Sequence, residues 1–391
     1  MAGKTTITLP LLRLGRVQLS PALRTLQPGS ASSGLVVTAT VAVPETPADR
    51  ASAWDVAWAD AAREAGQRGA DQDTVQALAV GAGQPVTGGT RVVVAAHGEV
   101  LLARWLPPGA SAGSVRVGPL PHLQEVAAAA ARQPAYVVVL TDRDGTDIIA
   151  HASGDQVPGE RFSVGRRPGA QTDPHPGRPP GQLHGPRHVT DSEPESGGRQ
   201  NAEFIAGRVS QAADSVGAHI VLGAGDQHIL DAVAGHLPDS VGPVTAITGG
   251  RGPDGLDDHL SAAIGAALDE ITAAAISAVG DLVAARAAEP DRAAVRGIEA
   301  VSDQLAEQQV AVLLIAADVA GDADAGLSYR IGGRPTEFLV GDSDTGTEVP
   351  LEDGLVWAAL HQDAIVVQLP ERAGPLAGES AAALLRRGSA S

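Results

Sequence analysis

The sequence predicts an α/β protein of several domains, and three features carry that prediction. Runs rich in β-branched residues with period-two alternation recur between stretches of helical periodicity. The chain has 391 residues, which at about 150 per domain suggests two or three domains. Residues 256–289 are nearly all Ala, Leu, Ile and acids, broken only by Gly265 and Gly280. As one helix of roughly 50 Å they could join two domains.

Residues 1–133 read as a first α/β domain. The run LVVTATVAV (35–43) is a strand, and residues 49–65 are helical with Trp54 and Trp58 at i,i+4, a spacing expected for core packing. A Gly/Pro turn cluster at 81–89 leads into a hairpin over 91–106, turning at His97-Gly98-Glu99. A helix is expected over 119–132, opening behind Pro121.

A middle domain, 134–255, opens with two strands around an Asp142–Gly145 turn. Residues 165–198, dense in Pro, Gly, His and Arg, read as a loop, and a loop this long in a compact domain calls for a function. Helix 199–216 carries Phe204, Ile205, Val209, Ala212 and Val216 at helical spacing. Residues 219–238 give strand, glycine turn and helix, and 244–247 a short strand. The third domain, 256–391, holds the long helix, a helix at 292–308 and a strand at 310–316. A Gly/Asp-rich insertion follows to Pro350, then a helix at 351–361, a strand at 364–369 and a last helix ending at Arg387.

Composition excludes several classes of function. With no cysteine there are no disulfides, thiolate metal sites or cysteine nucleophiles. Aromatics are 2% of residues, so the cores are aliphatic. No uninterrupted apolar run approaches the ~18–20 residues of a membrane span, and the N-terminus lacks a secretory pattern, so a cytoplasmic protein with no membrane partner is expected. The formal net charge is −18, with 28 Lys+Arg against 46 Asp+Glu, and Lys4 is the one lysine. Two segments depart from this acidity. Residues 1–44 hold Lys4, Arg13, Arg16 and Arg24 with no acid, and residues 161–190 hold five arginines and three histidines against Asp173. Such a chain would meet nucleic acid at two places and be repelled elsewhere, or the two stretches reflect only an arginine-biased composition.

The segment GGRQNAEFIAGRV (197–209) resembles the signature of archaeal and eukaryotic class-I release factors and their Pelota relatives, in which a Gly-Gly-Gln loop opens a helix. Phe204 and Arg208 stand where that helix carries its phenylalanine and an arginine. AYVVVLTDRDGTDIIA and IVLGAGDQHILDAVAGHLP resemble the strand pair and strand–turn–helix of the same middle domain. Residues 294–316 and 374–386 resemble its ribosomal-protein-L7Ae-like α/β third domain, the latter as a closing helix. The resemblance covers about residues 90–387 and implies a three-domain release-factor-like architecture, with a decoding-centre-like first domain.

Two departures matter. Arg199 separates Gly198 from Gln200, and one added residue at a helix start rotates the next side chain by about 100°. The first domain has no lysine-containing stop-codon reader. In this the chain is similar to a bacterial branch, the actinobacterial dormancy-associated proteins and Balon-type hibernation factors. That similarity implies a 70S ribosome partner bound at the A site without peptide release. It also implies contacts with 23S rRNA near the peptidyl-transferase centre and 16S rRNA at the decoding centre, and delivery by elongation factor Tu.

The candidate rRNA- and tRNA-binding residues are Arg161, Arg166, Arg167, His184, Arg187, His188, Gly197, Gly198, Arg199 and Gln200. Arginine forks suit phosphates and stack on bases. No catalytic residue is expected unless the chain is a release or rescue factor, in which case Gln200 would act. His184 and His188, with His175 near, lack further ligands, so no metal is expected. Gly223-Ala224-Gly225-Asp226-Gln227-His228 stands where a dinucleotide loop would, but His228 replaces the third glycine. A tight structural turn is the expectation and a small-ligand site the alternative; no cofactor is expected.

Overall fold

The computed structural model describes residues 14–386 except 27–33, 44–49, 87, 108–112, 143–144, 166–193, 250, 253–254, 257, 289–292, 320–328, 333–335, 337, 341–345, 371 and 373. The architecture is mixed α/β, and the chain divides into two compact units. One comprises Met1–Ala135, Ala152–Val157 and Leu268–Ser391, and the other Tyr136–His151 and Pro158–Ala267.

The first unit begins with α1 (Pro21–Thr25), β1 (Val36–Ala42), α2 (Arg50–Gln67), α3 (Gln72–Ala82), β2 (Thr90–Ala96), β3 (Glu99–Leu106), β4 (Ser114–Gly118) and α4 (Gln124–Arg132). Its strands form an antiparallel sheet in the order β3-β2-β1-β4. The hairpin turns at His97-Gly98 with both residues at positive φ (54° and 74°), the two-residue geometry that matches strand twist. Trp54 stacks on Trp105 (5.4 Å between centroids) and meets Trp58 edge-on, so the tryptophan pair is core, as its spacing suggests. Helix α3 falls where the sequence reading placed no element; the Asp71 carboxylate caps it, accepting from the Thr74 N–H at 2.8 Å. Helix α4 starts three residues behind Pro121, at Gln124.

The second unit contains β5 (Tyr136–Thr141), β6 (Gly145–His151), β7 (Glu160–Gly165), α5 (Pro194–Val216), β8 (Ile220–Gly225), α6 (Gln227–Ala234), β9 (Val244–Ala246), β10 (Arg251–Gly252) and β11 (Gly255–Leu256). Its main sheet runs β7-β6-β5-β8-β9, parallel across β5, β8 and β9 and antiparallel across β6 and β7. Helix α7 (Asp258–Ala287) runs for 30 residues and begins in this unit and ends in the first. By length and composition it could cross a membrane. Its buried residues, however, form one stripe of Leu260, Ile264, Leu268, Thr272, Ala275, Val279 and Val283, while Asp269, Glu270 and Asp281 are exposed. That is the pattern of a helix packed on one face.

The first unit resumes with β12 (Ala294–Arg296), α8 (Ile298–Ala306), β13 (Val310–Ala316), β14 (Tyr329–Ile331), β15 (Phe338–Val340), β16 (Thr347–Glu348), α9 (Leu351–His361), β17 (Ile365–Leu369) and β18 (Ala381–Leu385). A four-stranded sheet has the order β12-β18-β13-β17, and the expected insertion carries the small sheet β15-β14-β16. Two expectations are corrected. The helix expected over 292–308 is a strand and a shorter helix, because Ala294–Arg296 pair with Leu384–Ala382 before the chain turns at Gly297. The expected last helix is strand β18, fully buried between β12 and β13. Sheet pairing on both edges overrides the helix propensity of Ala and Leu.

The stretch read from the sequence as the first domain and the part of the third from Leu268 onward lie in one unit and share one hydrophobic cluster. It joins Leu23, Val94, Leu106 and Leu123 to Leu313, Leu355, Trp357 and Leu360. Helix α9 sits in it, with every residue from Leu351 to Leu360 buried. At its N-terminal end Asp353 Oδ1 lies 2.6 Å from His122 Nδ1, both side chains almost wholly buried. Removing one partner strands the other away from water, so Asp353→Ala is expected to cost about 3 kcal/mol in urea unfolding. A loss under about 1 kcal/mol would refute the contact's structural weight.

In the second unit the His151 ring stacks on Tyr136 at 4.6 Å, and neither ring nitrogen has a hydrogen-bond partner among the described residues. Burial lowers its pKa from the ordinary 6.5 to about 4. The stability of the neutral ring is therefore complete above the unfolded value and lost as pH falls from there toward 4. That loss amounts to roughly 3 kcal/mol. His151→Phe keeps the stack and removes the titration. Its urea midpoint should fall less steeply between pH 6.5 and 4.5 than that of the parent, and parallel curves would contradict the assignment.

Candidate nucleic-acid interface

Residues 166–193 stand in the sequence between the end of β7, Gly165, and the start of α5, Pro194. The elements at these two points define the candidate site. Arg166, Arg167, His184, Arg187 and His188, together with the possible zinc ligand His175, lie outside the described residues. Arg161, Gly197, Gly198, Arg199 and Gln200 lie within them.

Arg161 sits on edge strand β7, opposite Ile149. Its guanidinium lies 3.2 Å from Asp147 Oδ2, and Asp147 is buried with its second oxygen accepting from the Ser163 hydroxyl at 2.6 Å. Arg161 is thus half-neutralised by a built-in carboxylate. Part of its donor fork is used and part is open, because the guanidinium has five N–H groups.

On the neighbouring helix, Phe204 is 52% exposed, an unusual position for one of only three phenylalanines in the chain. The Arg208 guanidinium lies 5.5 Å from the Phe204 ring centroid and 5.7 Å from that of Phe162 on β7, and it donates to Gln211 Oε1 at 2.8 Å. Two of the three phenylalanines and one arginine therefore meet where β7 faces α5. An exposed ring beside a held guanidinium offers a nucleobase a stacking face and a phosphate a charge. Phe162 was missed by sequence reading. Its rarity next to Arg161 was the available signal, but its partner lies more than forty positions away.

Gly197, Gly198, Arg199 and Gln200 are helical, within α5, and this corrects the expectation of a loop that gives way to helix at Arg199. The physical reason is local: Pro194 suits a first helical turn and Glu195 favours the positive end of the helix dipole, so the helix opens five residues early. Gln200 stands one turn before Phe204 in the same helix.

The glycine turn behind β8 is structural. Gly225 has φ +110°, and a Cβ there would stand 1.8 Å from the Thr141 carbonyl oxygen. The Asp226 carboxylate accepts from the His228 and Ile229 N–H groups at 3.0 and 3.4 Å, and its own N–H donates to Thr141 Oγ1 at 2.8 Å. A carboxylate thus occupies the helix terminus that a phosphate would need. No group of three or more His, Asp and Glu residues is arranged for a metal ion among the described residues.

Comparison with known proteins agrees with this middle segment. No curated protein matches significantly. Among solved structures, Pelota from Archaeoglobus fulgidus aligns over 78% of this chain and 80% of its own at 14% identity, TM-score 0.30. Archaeal Pelota, from a model of its ribosome-bound form with ABCE1, aligns over 94% and 93% at 12% identity, TM-score 0.41. The archaeal translation termination factor aRF1 aligns over 93% and 95% at 12% identity, TM-score 0.22. At these TM-scores the likenesses carry no argument. The family model described as bacterial archaeo-eukaryotic release factor family 2 matches residues 135–289, the span that holds β5 to α7 and both walls of the candidate site. Over those residues the chain is similar to the bacterial archaeo-eukaryotic release factors of family 2.

Proposed function

We propose that this protein binds the 70S ribosome at the A site and does not release peptide, acting as a hibernation factor of idle ribosomes. The observation that carries the second half of the reading is the helical backbone at Gly197–Gln200. Only the first four N–H groups of a helix are free. Gln200 is the seventh residue of α5, so its N–H is placed to bond within the helix, which supports a reading without peptide release. Arg199 breaks the Gly-Gly-Gln sequence at the same point.

The family supports the first half. In this proposal the β7–α5 site, with the arginines and histidines of residues 166–193, meets 23S rRNA near the peptidyl-transferase centre. Residues 1–133 meet 16S rRNA at the decoding centre. Delivery by elongation factor Tu and a cytoplasmic location belong to the same reading.

Co-sedimentation with vacant 70S ribosomes tests it. Stoichiometric binding that competes with A-site tRNA and weakens with salt is expected, and failure to bind at low salt would remove the proposal. Phe204→Ala and Arg208→Ala should each weaken binding by about 1 kcal/mol, the scale of one lost base stack. In a reconstituted release assay neither the parent nor Gln200→Ala should liberate peptide above background. Release by the parent that Gln200→Ala abolishes would replace hibernation with hydrolytic release or rescue.

A further inference from the structure

Two arginines from the N-terminal stretch and one from the end of β18 converge on the turn that follows α9. Arg16 precedes α1, Arg24 lies within it and Arg386 follows β18, and all three are exposed. Arg24 pairs with the Asp363 carboxylate. Arg386 donates to the Gln362 carbonyl oxygen next to it, and its Nε donates to the Val310 carbonyl oxygen at 3.1 Å. The two guanidinium groups are thereby anchored on consecutive residues, 362 and 363. Arg16 makes no side-chain hydrogen bond or ion pair among the described residues. Partial desolvation and the nearby Arg386 charge lower its pKa, and Asp363 opposes them. The adjacent His361 is half-buried, with its ring against Trp357 at 4.0 Å, and burial holds its pKa below the ordinary value. The charge of the patch is therefore guanidinium charge, three positive against the one carboxylate of Asp363.

We propose that Arg16, Arg24 and Arg386 form a second RNA-binding site on the first unit that holds the phosphodiester backbone. The identification of the polyanion as RNA rests on the ribosomal reading above. The argument for phosphate rests on the patch itself. In a chain of net charge −18, a surplus of positive charge assembled from the two ends of the sequence is an exception to the overall acidity. Guanidinium forks match phosphate oxygens in pairs and stay charged at any cellular pH. Among the described residues the large exposed apolar ones, Leu35, Val56, Val80, Val157 and Phe204, are none of them in the patch, so these offer a lipid surface or an apolar peptide nothing to bury there. Two anchored guanidinium groups and one without a partner make a site that recognises a backbone and not a sequence.

Two substitutions of opposite sign test this in the full chain. Arg16→Gln removes a charge without breaking a hydrogen bond. Asp363→Asn removes the opposing charge at a residue whose φ of 57° asparagine tolerates. Binding is measured against salt with two probes, vacant 70S ribosomes and a 20-base-pair RNA duplex. Arg16→Gln should weaken binding several-fold and reduce the slope of log affinity against log salt by about 1. Asp363→Asn should tighten it several-fold. If the parent binds ribosomes and both variants match it on both probes, the patch is refuted while the ribosomal reading stands. If the parent binds only the duplex and the variants move it in opposite directions, the patch stands and the ribosomal reading falls. Binding to neither probe overturns both.

Discussion

Helix α9 has no solvent face from Leu351 to Leu360, and the first unit can exist only where something covers every side of it. An all-round buried helix cannot be half of an independent two-layer domain, because whichever side is left bare exposes Leu, Val and Trp. Cover comes from both ends of the sequence, with the shared cluster reaching from Leu23 and Leu123 to Leu313 and Trp357. Burying each large side chain is worth about 2–3 kcal/mol. The His122–Asp353 contact, made across 231 positions of sequence, fixes the register of that closure. The second unit is consequently an insertion in a closed unit, and residues 152–157 return to the first unit between its two parts. That return is held by the Arg104 guanidinium donating to the Ser153 and Gln18 carbonyl oxygens and by the Gln156 N–H donating to the Trp105 oxygen.

An acidic protein that binds a polyanion faces two opposing ranges of force. Repulsion from the −18 total acts over a Debye length, which is about 8 Å at physiological salt and longer in dilute buffer. Attraction by a guanidinium in contact with a phosphate acts over a few ångströms and is far less screened. Salt therefore weakens both, the repulsion first. A protein of this kind reads a polyanion only where its arginines are placed, and the acidic remainder of the surface rejects misplaced contacts. Arg161 illustrates the opposite arrangement, since its buried partner Asp147 neutralises part of its charge.

The legibility of the fold in the sequence follows from what each element's residues can do alone. β1, β2, β5, β8 and β13 are β-branched runs, and the hairpin carries its turn in His97-Gly98, so local chemistry and final structure agree. β12 and β18 were hidden because Ala and Leu favour helix until a neighbour strand is available, and neither sequence contains that neighbour. The Trp54–Trp58 spacing revealed the core but not Trp105, which stacks on it from a strand nearly fifty positions on. The candidate site was legible in outline only. Composition marked residues 161–190 and the family-like segment marked Phe204 and Arg208. The Asp147–Arg161 and Phe162–Arg208 contacts are products of β6–β7 pairing and of α5 lying on β7, and no local pattern encodes them.

The glycine pair bears on what the protein has kept and lost. Each glycine inside a helix costs about 1 kcal/mol relative to alanine, so Gly197 and Gly198 are expensive residues for the helical backbone they adopt. A sequence shaped only for helix stability would not place two of them in succession. Their presence marks a segment under a constraint other than helix stability. Arg199 adds one positive charge to the sequence that follows the arginine-rich residues 161–190. Hydrolysis requires a glutamine amide free to serve the ester, whereas phosphate binding requires charge and tolerates a helix. The helical register from Pro194 through Gln200 favours the second requirement, in line with the proposed binding without release.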